Sequence, residues 1–145
     1  MKKVSVLFLA LCAVTITASA QKLKESEVPA FVIKAFEKQH PGIKGEKWEK
    51  EKGDFEVGFT NSNVKTTEVY DAKGIFKESE VKIKPTELPA AATNYIAIMY
   101  KGAKIKEATK ITKALGEVNY EAEVNGSDVI FDAKGKFIKA EKKLD

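Results

Sequence analysis

Two pairs of glutamates stand at strand spacing, Glu78 with Glu80 and Glu121 with Glu123, so each pair would share one face of its strand. Two carboxylates held side by side can divide acid and base work on a glycosidic bond. Glutamate is abundant in this chain, however, and lysines interleave it, which assigns both pairs to a solvated face. Nucleophilic chemistry has less to draw on. The serine candidates are Ser26, Ser62, Ser79 and Ser127, none in a nucleophile-elbow pattern, and the single histidine, His40, stands where a helix would end. A lone histidine without ligand partners at metal spacing reads as a solvated helix-end residue. No catalytic residue, metal or cofactor is expected, and the chain is not read as an enzyme.

Recognition is the chemistry these residues do offer. Period-two counting puts Phe76 on the face of Glu78 and Glu80, and Phe137 on that of Lys139 and Glu141. Trp48 stands among charges in Glu46-Lys47-Trp48-Glu49-Lys50. Aromatics embedded in charge on an open sheet make a partner-binding surface, with Trp and Tyr as typical anchors. The candidate binding set is therefore Trp48, Phe76, Glu78, Glu80, Glu121, Glu123, Phe137 and Lys139. The same aromatics also fit a structural role, Trp48 closing the core between helix and sheet and the two phenylalanines pairing across strands. A register slip of one residue would exchange the faces.

The elements that must position these residues repeat. Ser26-Glu27-Val28-Pro29-Ala30 recurs as Thr86-Glu87-Leu88-Pro89-Ala90, each reading as a helix start with a hydroxyl N-cap, an early acid and a tolerated proline. Apolar residues follow at helical spacing, Val28, Phe31, Val32, Ala35 and Phe36, then Leu88, Ala91, Ala92, Tyr95, Ile96 and Met99. The helices stop alike, at His40-Pro41-Gly42 and Tyr100-Lys101-Gly102. The period then changes to two: Phe55, Val57 and Phe59 against Glu56, and Tyr120, Ala122 and Val124 against Glu121 and Glu123. A loose turn is expected at Asn61-Ser62-Asn63 and a tight one at Asn125-Gly126.

Asp71-Ala72-Lys73-Gly74 recurs as Asp132-Ala133-Lys134-Gly135, each between strand-like runs and each a turn; a calcium loop would need more oxygen ligands at regular offsets. The expected fold is α+β: two tandem helix-plus-antiparallel-sheet repeats, about 26–84 and 86–145, forming one extended sheet with both helices on one face.

Ahead of the repeats, Lys2 and Lys3, the apolar stretch Val4 to Val14, and Ala18-Ser19-Ala20 have the layout of an export signal over residues 1–20, with cleavage before Gln21. The apolar run is shorter than the about 20 residues that span a bilayer, so no integral membrane segment is expected. Leu11 precedes Cys12 where a lipoprotein signal wants a small residue, which argues against lipid anchoring. Cleavage would leave one domain over residues 21–145 with no cysteine. The formal charge of +4 includes Lys2 and Lys3, and all 25 basic residues are lysine. A small excess without a single guanidinium fork argues against nucleic-acid and phosphate binding.

Taken together, Val28-Pro29, Leu88-Pro89, Pro41-Gly42, Trp48, Phe55-Glu56-Val57, and Tyr70-Asp71 and Phe131-Asp132 leading into Gly74 and Gly135 resemble the PepSY-like family of exported Bacteroides-type proteins, which is similar to β-lactamase inhibitor proteins. The resemblance implies a tandem helix-plus-sheet fold and a periplasmic, outer-membrane-associated or secreted location. In the inhibitor relatives the open face of the sheet grips a partner enzyme. This chain lacks their cysteines and has Ala108 where spacing would place a counterpart of Trp48, so lactamase inhibition is not carried over. The expected function is an exported non-catalytic binding module, an inhibitor or regulator of another exported protein through the open sheet face. The alternative is an envelope carrier of a small molecule or ion, and the oligomeric state stays open.

Overall fold

The computed structural model describes residues 20–143, so the expected export signal, except Ala20, lies outside it. In chain order the elements are β1 (Gln21–Leu23), a 3-10 turn (Glu25–Glu27), α1 (Ala30–Gln39), β2 (Lys47–Glu51), β3 (Asp54–Asn61), β4 (Val64–Tyr70), β5 (Phe76–Ile83), a second 3-10 turn (Pro85–Glu87), α2 (Ala90–Met99), β6 (Ile105–Lys113), β7 (Val118–Val124), β8 (Ser127–Asp132) and β9 (Phe137–Lys142). The strands form one nine-stranded sheet whose spatial order is the sequence order, every neighbouring pair antiparallel. The fold is α+β.

Each helix begins later than its hydroxyl residue suggested. Proline forces the residue before it into extended backbone, and Val28 (ψ 136°) and Leu88 (ψ 147°) obey, so no helix can run through them. Ser26 and Thr86 fall instead in the 3-10 turns, whose Glu27 and Glu87 carboxylates accept the backbone N–H of Lys24 and Lys84 at 2.7 Å. The helices start on Ala30 and Ala90 and bury Val32 and Phe36, and Ala92 and Ile96.

Each helix has its own core. Around α1 lie Trp48, Phe55, Val57, Phe59 and Tyr70; around α2 lie Ala108, Ala122, Val124, Val129 and Phe131. The alternation of Phe55, Val57 and Phe59, and of Ala122 and Val124, puts these residues in the cores as their spacing predicted. Trp48 and Ala108 are both buried in equivalent places, so the second core is filled by other side chains where the first uses an indole.

The two Asp-Ala-Lys-Gly turns are the same structure. Asp71 Oδ1 accepts the amides of Lys73 and Ile75 at 2.8 and 2.9 Å, and Asp132 Oδ1 those of Lys134 and Lys136 at the same distances. Gly74 (φ +79°) and Gly135 (φ +81°) close them where a Cβ would lie 2.5 Å from the Phe31 carbonyl oxygen and 2.8 Å from the Ala92 amide nitrogen. The glycine lets each turn press against the first turn of its helix. The Asn61–Val64 connection is tighter than expected: Asn61 pairs with Val64, and Ser62 (φ 49°) and Asn63 (φ 65°) make a two-residue hairpin like Asn125-Gly126.

Candidate functional site

Side chains that alternate along the strands with core residues line one groove of about 440 Å³ on the sheet. Its register is set strand by strand: Glu56 on β3 faces Val69 on β4, which faces Glu78 on β5, which faces Lys113 on β6. One row along, Glu80 faces Ile111, and on the far side Glu121 faces Ile130, which faces Lys139. The groove thus has an apolar floor of Val69, Ile111 and Ile130, the carboxylates of Glu56, Glu78, Glu80 and Glu121 with Glu51, Asp54 and Glu141 also in its lining, and lysines at its margin.

Half-burial against the apolar floor, with Glu121, Glu78 and Glu56 close by, pushes the Glu80 carboxyl up to about 7. Glu121 also rises to about 7, through burial first and the nearby Asp128 second. Glu56 is raised by burial and by Glu51, Glu49 and Glu78. Lys113 is hydrogen-bonded to Glu78, and Lys139 to Glu141 at 2.7 Å. The groove therefore carries more anionic capacity than its own lysines offset, in a setting where water screens poorly. Such an arrangement favours a cation that brings its charge in with it.

Glu123 shares this face but sits in a closed arrangement. It accepts from Lys106 at 2.8 Å and Lys143 at 2.6 Å, and these bonds hold its carboxyl down to about 2. Two lysine chains cover it, leaving no free capacity for a ligand.

The aromatics expected beside these acids are elsewhere. Trp48 is buried against α1, edge-on to Phe36. Phe76 packs on the first core, its ring 5.8 Å from that of Tyr70, and Phe137 stacks on Tyr95 of α2 at 4.8 Å. Phe76 and Phe137 do not share a face with Glu78 and Glu80 or with Lys139 and Glu141, contrary to the period-two count. The cause is a β-bulge in each copy: Tyr70 pairs with Phe76 but Val69 with Glu78, and Phe131 with Phe137 but Ile130 with Lys139. One extra residue, Lys77 or Ile138, flips the phase. Of the expected set, Glu78, Glu80, Glu121 and Lys139 come together in the groove.

Glu56 and the apolar floor were missed. Glu56 was readable as opposite to Phe55 and Val57, but the company of Val69, Ile111 and Ile130 depends on registers that no local pattern encodes. His40 is likewise not a solvated helix end. Its Nε2 lies 2.9 Å from Glu68 Oε1, and Tyr70 donates its hydroxyl to Glu68 Oε2 at 2.6 Å, inside the first core. Burial, and after it the bond to Glu68, raises the Tyr70 hydroxyl well above the usual phenol range.

Among the described residues no helix is long and apolar enough to cross a membrane, and no group of three or more His, Cys, Asp or Glu is placed to hold a metal ion. The class defined by these features is an α+β protein with a broad antiparallel meander, two helices and a carboxylate-lined groove on the sheet. The family model described as "Putative beta-lactamase-inhibitor-like, PepSY-like" matches the chain twice, over residues 14–77 and 55–139, and the chain belongs to that family. Among curated proteins none matches.

Solved structures share the fold at low identity. A DUF2874 family protein from Bacteroides uniformis is 21% identical at TM-score 0.69, covering 78% of this chain and 88% of that one. A protein of Bacteroides eggerthii named as periplasmic is 17% identical at TM-score 0.70, covering 79% and 88%. A BLIP-like protein of Bacteroides fragilis is 16% identical at TM-score 0.60, covering 81% and 89%.

Proposed function

We propose that the chain is an exported, non-catalytic binding module that receives a lysine- or arginine-bearing stretch of another exported protein in its carboxylate groove, and acts as that protein's inhibitor or regulator. The observation that carries this is the groove itself, with Glu80 and Glu121 held to about 7 over a floor of Val69, Ile111 and Ile130. A bound cation would offset the burial, and with it the repulsion from neighbouring carboxylates, that keeps them there, so charge complementarity supplies specificity while the apolar floor supplies burial. The family description and the BLIP-like neighbour support a protein as the partner, and the neighbour named as periplasmic supports the location.

In this reading residues 21–145 are one domain of two tandem units, about 26–84 and 86–145, after a signal over 1–20. Both helices lie on one face, an arrangement supported by the pairing of Ile83 with Ala108 where β5 meets β6. Glu78, Glu80, Glu121 and Lys139, joined by Glu56, form the binding residues.

The test uses the chain from Gln21 as bait in periplasmic and secreted fractions, beside a Glu80→Gln, Glu121→Gln variant. One dominant exported protein held by the parent at pH 8 and released by the variant is the expected result. Equal capture by both would overturn the groove as the docking face. No capture by either would shift the function to the envelope carrier of a small molecule or ion, with the same groove as its seat.

A further inference from the structure

Removal of the signal over residues 1–20, on which this inference rests, changes the chemistry of one residue in the described fold. Gln21 then carries a free α-amine and a primary carboxamide on the same residue. It opens β1, the outermost strand of the sheet, and it is exposed. The register sets Gln21 opposite Lys50, so a terminal ammonium would be a third cation at a corner that already holds Lys22 and Lys50. Like charges facing one another across a ladder are destabilising. The strand matters to the fold despite its length. Leu23 faces Trp48 and packs on the first core, and β1 covers the outer edge of β2. Trimming from this end would strip the cover and take Leu23 from the core.

We propose that Gln21 is a site of self-modification, its α-amine closing on its own carboxamide to give an N-terminal pyroglutamyl lactam. The neutral amine attacks Cδ, a C–N bond closes a five-membered ring, and the carboxamide nitrogen leaves as ammonia with the amine's proton. No oxidant, reductant or second substrate enters. Nucleophile and electrophile sit on one residue, so the closure is intramolecular. Exposure leaves the side chain free to fold back onto the amine. The ring lies ahead of the first peptide bond, so Lys22 and Leu23 keep their pairings with Glu49 and Trp48. The product carries no terminal charge beside Lys22 and Lys50, and it offers an aminopeptidase no free amine from which to strip β1.

The test follows the intact mass of the full chain, exported from bacterial cells by its own signal, recovered from the periplasmic fraction and incubated at growth temperature and neutral pH. The mass should settle at that of residues 21–145 less one ammonia. N-terminal sequencing should then read nothing until a pyroglutamyl peptidase removes one residue and exposes Lys22. Gln21→Asn is one methylene too short for the five-membered ring, and it should keep both the unmodified mass and a readable terminus. That variant also separates the terminus from Asn125-Gly126, where an asparagine closing on the next amide would shed ammonia too. A Gln21 amine that persists through the incubation overturns the lactam and leaves the cleavage site standing. A chain that begins at any other residue overturns both. An ammonia loss retained in Gln21→Asn belongs to another residue and overturns the assignment to Gln21.

Discussion

Replacing Glu80 by glutamine should make the protein more stable, and only above a definite pH. In the fold the Glu80 carboxyl titrates at about 7 against an ordinary 4.5. Between those values the folded chain keeps a proton that the unfolded chain has released, so stability falls as pH rises through this window and the full cost is present above it. A displacement of that size corresponds to about 3 kcal/mol, reduced to about 2 kcal/mol because the carboxyl remains partly open to water. Glutamine keeps the shape and removes the charge. At pH 8 Glu80→Gln should therefore gain about 2 kcal/mol, or roughly 6–12 °C in Tm, and at pH 4 almost nothing. Urea unfolding of parent and variant at both pH values measures it. An equal effect at pH 4 and pH 8 would refute the argument, because it would locate the change in packing or hydrogen bonding rather than in the ionised carboxylate.

Trp48→Ala together with Phe76→Ala should cost about 5 kcal/mol or more of stability, measured by denaturant unfolding, because both rings fill the first core; an unchanged unfolding midpoint would return them to the surface. His40→Ala should cost about 2–3 kcal/mol by leaving the buried Glu68 carboxylate with Tyr70 as its remaining close donor, and adding Glu68→Gln should recover part of that loss in a double-mutant cycle.

What the sequence discloses follows the range of the forces involved. The helices, the strand phases of β3 and β7 and the two Asp-Ala-Lys-Gly turns are set within a few residues, and spacing alone places them. The faces of Phe76 and Phe137 are not so set. Tyr70 and Phe131 end their strands against a glycine turn pressed onto a helix, and the chain returns through a bulge that shifts the phase by one. Counting by twos is correct for Glu78, Glu80, Glu121 and Glu123 because it starts beyond the bulge. The groove's apolar floor needed three separate strand registers to come together. His40 misleads for another reason: its partner Glu68 is 28 residues away, and a lone histidine reads as solvated until that carboxylate is found beneath it.

The unbroken order β1 to β9 has a consequence for how the molecule comes into being. No strand waits for a partner from the far end of the chain, since each pairs with the one just made. Contacts this local favour fast folding. A chain delivered end first, as one passing through an export pore would be, can lay down its sheet strand by strand as it emerges. Each completed half would close a core over its own helix before the next arrives, leaving little unpaired edge exposed along the way.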